Sequence, residues 1–317
     1  MQCTNNDFML NLAISGLEFL SSREKLLVRR NVSDIEKLFS LSLTDIALIV
    51  KRVIRSGMWK ADEILKRINR QIHIMKCFDI HSCAIEDPAY PELLKEIYDP
   101  PFMLFWRGNN ACLQKKSVGV VGTRRPSFAG IQAARGIASK LASNGYTVVS
   151  GLALGIDAAA HKGAVTAENA STAAVLASGV DEITPYANKG LAASIIKKGG
   201  CIVSEYPPET VAAKWRFPAR NRIISALAIA TLVVEAPTKS GSLITADFAL
   251  EQGRDLFFHE LALKNSGDER HPSSYVRDGA AVIHNADELL EKLESNTILT
   301  DKKKYKNEQP VLWNKTE

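Results

Sequence analysis

Along the first eighty residues, apolar side chains return every three or four positions over 7–20, 34–38, 44–56 and 61–73, the period of an amphipathic helix. Ile46, Ile49, Val50, Val53 and Ile54 show that spacing most plainly. A small helical bundle is predicted. Asp87-Pro88-Ala89-Tyr90-Pro91 and Asp99-Pro100-Pro101 then break any helix, which places a domain connection near residue 85. From Ser117 the period changes. Short apolar runs at 118–121, 146–150, 172–177, 201–204, 231–235 and 255–258 read as strands buried on both faces. Helices are predicted between them at 128–143, 157–167, 189–198, 222–228 and 243–252, and a last run at 281–283 precedes an acidic helix at 286–293. Such alternation predicts an α/β fold, a doubly wound parallel sheet preceded by the small helical domain.

Composition narrows the function classes. With 317 residues, 46% of them hydrophobic and 24% charged, the chain is expected to fold as a globular protein. Its longest nearly uncharged apolar run, 226–234, is too short for a bilayer, and the amino terminus lacks a basic leader region. No membrane partner and a cytoplasmic location are therefore expected. The five cysteines (Cys3, Cys77, Cys83, Cys112, Cys201) are scattered without a C-x-x-C pair, which argues against a disulfide framework and a thiolate metal site. No cofactor is expected. The net charge is +5, and residues 1–80 carry 13 basic against 9 acidic side chains. Basic and acidic residues nearly cancel in the remainder, so an anion-binding patch on the large domain must be local. Lys51, Arg52 and Arg55 in the bundle read as either a nucleic-acid contact or a solvated face.

In an open parallel sheet, ligands bind beyond the carboxyl ends of the strands, where helix amino termini present unpaired N–H groups. The loop after the first predicted strand, Gly122-Thr123-Arg124-Arg125, combines a tight turn, a hydroxyl and two guanidinium forks. It lacks the G-x-G-x-x-G spacing of a dinucleotide site. The second loop, Ser150-Gly151 through Gly155, precedes Asp157 and His161, which share a helix face and read as a helix-supporting acid with a packed histidine. After the third strand, Lys189 stands at a helix start. Densest of all is Trp215-Arg216-Phe217-Pro218-Ala219-Arg220-Asn221-Arg222, whose arginines bind phosphates and whose aromatic faces stack on unpaired bases. Ser240-Gly241-Ser242 opens a further helix with hydroxyls and a glycine. Glu235 reads as either a general base or a carboxylate held by backbone amides. Neither a G-x-x-x-x-G-K-[ST] loop nor a G-x-S-x-G elbow is present. Anion cradles without an evident nucleophile point to a phosphodiester backbone as ligand.

These motifs together, Gly122-Thr123-Arg124, Ser150 through His161, Ser204-Glu205-Tyr206-Pro207-Pro208, Phe217 through Ile224 and Ser240 through Ala246, closely resemble the bacterial DNA-processing protein DprA/Smf family. The resemblance runs from about Asp87 through Arg254 and more weakly to Ala280. It implies a SAM-like helical domain at 1–85 and an extended Rossmann-like DNA-binding domain at 86–297, while the lysine-rich composition of 298–317 reads as a disordered basic tail. It further implies a non-catalytic, homodimeric single-stranded DNA-binding protein that protects incoming DNA and loads the RecA recombinase in natural transformation. Arg124 and Lys189 match basic residues of the family's DNA pocket, and Arg220 and Arg222 lie in its phenylalanine-proline-arginine segment. Arg124, Lys189 and Arg222 are expected to converge on one strand, with Gly122, Thr123, Arg125, Gly151, Phe217, Asn221, Ser240, Gly241 and Ser242 around them. Ile283, Leu289 and Leu290 are the candidate dimer contact. Phe257-Phe258-His259-Glu260 replaces the family's valine-proline-glycine turn, so the last pocket loop is expected to differ. The alternative is a Rossmann-type nucleotide phosphoribohydrolase using Glu235 and the Ser240 helix start.

Overall fold

Nine strands share one sheet in the order β1-β2-β6-β5-β4-β3-β7-β8-β9 in the computed structural model, which describes residues 5–55, 59–168, 171–238, 240–264 and 271–295. Five helices precede the sheet: α1 (Asn5–Ser15), α2 (Ser22–Asn31), α3 (Ile35–Ser40), α4 (Leu43–Val50) and α5 (Ala61–Cys77). Helix α1 stops at Ser15, before the predicted residue 20, where Gly16, a poor helix former, follows; a Cβ on Gly16 would come within 2.6 Å of Arg67 Nη2. The chain then runs β1 (His81–Ala84), α6 (Glu92–Lys95), β2 (Met103–Gly108), β3 (Ser117–Val121), α7 (Phe128–Ser143), β4 (Thr147–Ser150), α8 (Ile156–Ala164) and β5 (Thr172–Val175). It continues through α9 (Lys189–Lys197), β6 (Cys201–Ser204), α10 (Arg216–Ala226), β7 (Ala230–Val233), α11 (Gly241–Glu251), β8 (Asp255–His259), α12 (Pro272–Arg277) and β9 (Ala281–Ile283), and is helical again over 286–295.

Strands β3 to β9 are parallel neighbours, whereas β1 and β2 add an antiparallel edge, with Phe105 opposite Ser204 on β6. That edge includes residues 81–84, just upstream of the connection expected near 85. The parallel strands are buried throughout, apart from the ends of β8 and β9, which explains their unbroken apolar runs. From β3 the chain works outward through β4, β5 and β6, then crosses back along α10 to β7 on the other side of β3. At that reversal the helices that follow β3 and β7 pack on opposite faces of the sheet and leave a crevice at the strand ends.

The helical domain does not hang on a linker. Leu10, Ile14, Leu38, Ile46 and Ile68 form one apolar cluster with Phe102, Phe105, Leu152, Leu176 and Val180 of the sheet side. Each such fully buried side chain contributes about 1.5–3 kcal/mol. At the opposite edge, Ile283, Leu289 and Leu290 are buried with Leu141, Leu232 and Phe257 inside the protomer. The expectation that these three supply a dimer contact is corrected: β9 pairs with β8, and the following helix lies over the same core. The predicted tail at 298–317 lies outside the described residues. Among the described residues no helix is long and apolar enough to cross a membrane, and no cluster of acid, His and Cys side chains is placed to hold a metal ion.

Candidate nucleic-acid interface

The crevice between the β3 and β7 loops is a cleft of about 630 Å³. Its walls come from four places: Gly122, Thr123 and Arg124 after β3; Ala153 and Asp157 at the start of α8; Lys214, Phe217, Arg220 and Asn221 at the start of α10; and Ser240, Gly241 and Ser242 opening α11.

Close backbone packing sets the first wall. A Cβ on Gly122 would lie 2.6 Å from Ile156 Cγ1, so only glycine lets this turn meet α8. Thr123 N–H donates to Glu235 O at 2.7 Å and Thr123 O accepts from Ile156 N–H at 3.2 Å, which ties the β3, β4 and β7 loops together. The Thr123 hydroxyl accepts from Arg125 N–H at 3.2 Å, so its described role is to hold the turn. Gly155 has φ +82°, a conformation glycine adopts without strain, and starts α8 directly beneath the Arg124 backbone.

Above this floor Arg124 is exposed, and its guanidinium carbon lies 5.4 Å from the Phe217 ring centroid. The pair offers a cation next to an aromatic face. Lys214 adds a second exposed cation at the rim; it is absent from the residues picked out by sequence, where its neighbours Trp215 and Arg216 drew the eye. On the far wall the Ser240 hydroxyl caps α11 by accepting from Ser242 N–H at 3.4 Å. Gly241 faces open space, which leaves the amino end of α11 approachable by an oxyanion. Asn221 Nδ2 donates to Gly241 O at 3.2 Å and links α10 to that end.

Arg220 sits deeper. It is 4% exposed and donates from Nη1 to Gly151 O at 2.7 Å and to Val175 O. Gly151 leaves room for this, since its Cβ would strike the guanidinium. Burial lowers the Arg220 pKa to about 10, against the opposing pull of Asp157, so it stays cationic at neutral pH. Burial raises the Asp157 pKa, opposed by Arg220 and by backbone N–H groups including that of Gly151 at 3.1 Å. His161 Nδ1 lies 2.8 Å from Thr172 Oγ1, and burial together with Arg220 lowers its pKa to about 3. It is a neutral core residue, in keeping with the packed reading.

Arginine 222 is placed elsewhere. Its guanidinium pairs with Glu205 through two 2.7 Å hydrogen bonds and lies 3.7 Å from Asp99. Burial works against its charge, but Glu205 beside it raises its pKa overall. The expected convergence of Arg124, Lys189 and Arg222 therefore does not include Arg222. The cause is helical geometry: α10 begins at Arg216, six residues before the predicted start, because Pro218 is tolerated in a first turn. At about 100° per residue, positions 217, 220, 221 and 224 share one face and 216, 219 and 222 another. Lys189 and Arg125 are exposed but do not line the cleft; Lys189 Nζ lies 5.5 Å from the Tyr186 ring centroid.

Glu235 is engaged with the start of α7, accepting from Ser127 N–H and from Ser127 Oγ, both at 3.0 Å. This is the amide-held carboxylate, not a base facing the cleft. Phe257 and Phe258 continue β8 into the core, and no residue of 257–260 lines the cleft.

The family described as DNA recombination-mediator protein A matches residues 81–294. Over 267 residues the chain is 36% identical to a DNA processing protein DprA of Bacillus subtilis, covering 82% of this chain and 88% of that protein. It is 40% identical to protein Smf of Escherichia coli over 68% of this chain, and spans 57% of that longer protein. The crystal structure of DNA processing protein A from Streptococcus pneumoniae superposes with a TM-score of 0.68 at 34% identity, covering 92% of this chain and 98% of that one. A Helicobacter pylori DNA processing protein A, whose structure is described as giving insight into its single-stranded DNA binding mode, superposes with a TM-score of 0.59 at 28% identity over 68% of this chain and 97% of that one.

Proposed function

The chain belongs to the DNA recombination-mediator protein A family, the DprA/Smf proteins, and from that premise we propose that the cleft between β3 and β7 binds single-stranded DNA without chemical turnover. The observation that carries the reading is the cleft's cationic wall: Arg124 against Phe217, with Lys214 at the rim, Arg220 behind and the open amino end of α11 opposite. Guanidinium and N–H groups hold phosphates of any sequence, whereas an aromatic face accepts only a base released from pairing. Lys189 beside Tyr186, and Arg125, extend the same cationic surface outside the cleft. The proposed role is to shield incoming strands and load RecA recombinase onto them during natural transformation, the protein acting as a homodimer. Its dimer contact is sought away from the buried Ile283, Leu289 and Leu290.

The test is an anisotropy titration of a labelled single strand and of a duplex of the same length. Tighter binding of the single strand supports the proposal; equal affinity overturns it.

A further inference from the structure

Helix α10 stands between two cavities. One face lines the cleft with Phe217, Arg220 and Asn221; the other, with Arg216, Ala219 and Arg222, lines a cavity of about 300 Å³ shared with Ser15, Gly16, Glu18, Ser21, Ser22 and Lys25 of the helical domain. Arg220 and Asn221 tie one face of this helix to the sheet and to α11, and the opposite face is anchored at the seam. Arg216 is 6% exposed; its Nη2 donates to Glu18 Oε1 at 2.9 Å and its Nη1 to Val211 O. Its guanidinium carbon lies 4.9 Å from both the Tyr206 and the Trp215 ring centroids. The loop leading into α10 is held by the same domain: Gln71 Nε2 donates to Pro208 O at 3.1 Å, and Arg70 Nε pairs with Glu209 at 3.0 Å. Glu18 and Arg70 are side chains of a domain that contributes none of the cleft's walls.

We propose that the helical domain is a positioning clamp on α10, in which Glu18 fixes Arg216 and thereby sets the place of Phe217, Arg220 and Asn221 in the cleft. Residues 216 and 217 are consecutive on one helix, so a rotation of the Arg216 side about the axis carries the Phe217 ring with it and away from Arg124. The inference rests on the reading of the cleft as a DNA site. Glu18 touches no part of that site, so it is a positioning residue.

The sign of one substitution separates the clamp from simple electrostatics. Removing a carboxylate from a DNA-binding protein weakens the repulsion of phosphates and, by charge alone, tightens binding. The clamp predicts the reverse: Glu18→Ala binds single-stranded DNA about fivefold more weakly. Glu18→Gln, which keeps an oxygen acceptor for Arg216, recovers part of the loss. Glu63→Ala, which removes an exposed carboxylate paired with Lys60 in the same domain, binds as tightly as the wild type or slightly tighter. Glu18→Ala leaves the buried Arg216 guanidinium without its carboxylate and is expected to melt somewhat below the wild type, so binding is compared at a temperature where each variant is folded.

Hydrogen exchange of the free proteins supplies a readout that involves no DNA: Glu18→Ala accelerates exchange over 208–221 and leaves β3 and β7 unchanged. Unchanged exchange together with equal or tighter DNA binding overturns the clamp. Failure of the wild type to bind DNA would sink the functional reading, while the exchange comparison still decides the clamp.

Discussion

Arg124 and Arg222 both read in the sequence as DNA ligands, and the structure gives them opposite surroundings. Around Arg124 there is an aromatic ring, backbone and solvent; around Arg222 there are Glu205, Asp99 and the seam with the helical domain. The cleft keeps its cations available and the seam neutralises them. What distinguishes the two is the partner each meets, and the partners lie far away in the chain. Glu205 comes from the end of β6 and Asp99 from the proline-rich connection. Density of arginine along a sequence is therefore not a measure of available charge.

The contrast is broken most severely at Arg222. Arg222→Ala leaves Glu205, whose side chain is only 13% exposed, without its partner and is expected to cost about 3 kcal/mol of folding stability. Urea unfolding measures this; a loss below about 1 kcal/mol contradicts the pairing. Arg220→Ala strips Gly151 O and Val175 O of a donor and is expected to lower stability by about 1–3 kcal/mol while also weakening DNA binding. Arg220 thus serves both the core of the sheet and the cleft. Arg124→Ala is expected to leave the melting temperature unchanged and to weaken binding by about 1.5–3 kcal/mol, the range for a charge-assisted hydrogen bond. A shifted melt with unchanged affinity would reverse the assignment.

A pH dependence sharpens the seam itself. Lys25 donates to Ser15 O at 2.7 Å, and burial lowers its pKa from 10.5 to about 8 despite the opposing pull of Glu205, Glu18 and Asp99. The folded chain thus holds fewer protons than the unfolded chain between about pH 8 and 10.5, so this group's contribution to stability rises with pH across that window. Below about pH 8 the burial penalty is present in full. Lys25→Met is expected to flatten the rise, measured as urea midpoints at a series of pH values; an unaltered slope contradicts the burial.

Much of the sheet was legible because its central strands are buried on both faces: the predicted runs at 118–121 and 201–204 match β3 and β6 closely, and the run at 281–283 matches the half-buried β9. The antiparallel edge was not, since β1 is four residues long with an exposed end, and Met103–Gly108 sits directly after the prolines that signal a connection. Helix α2 was missed because half of its residues are charged, although the Ser21 and Glu24 capping box was there to be read. In the site, Gly122, Thr123, Arg124 and the Ser240 turn were legible because strand ends and helix starts converge by the rules of the fold. The split of Arg216, Arg220 and Arg222 over two faces was not, because it depends on the helix starting before Pro218. Lys214 carries no local signal beyond its charge, and only the folded loop brings it to the rim.

The comparison of the two arginines is tested most directly by the salt dependence of single-strand binding. Log affinity against log salt concentration is measured for the wild type, Arg124→Ala and Arg222→Ala, under conditions where each is folded. If the cleft holds phosphates and the seam does not, the slope falls by about 0.7 for Arg124→Ala, the share of one phosphate, and stays at the wild-type value for Arg222→Ala. A reduced slope for Arg222→Ala with an unchanged slope for Arg124→Ala would contradict the account.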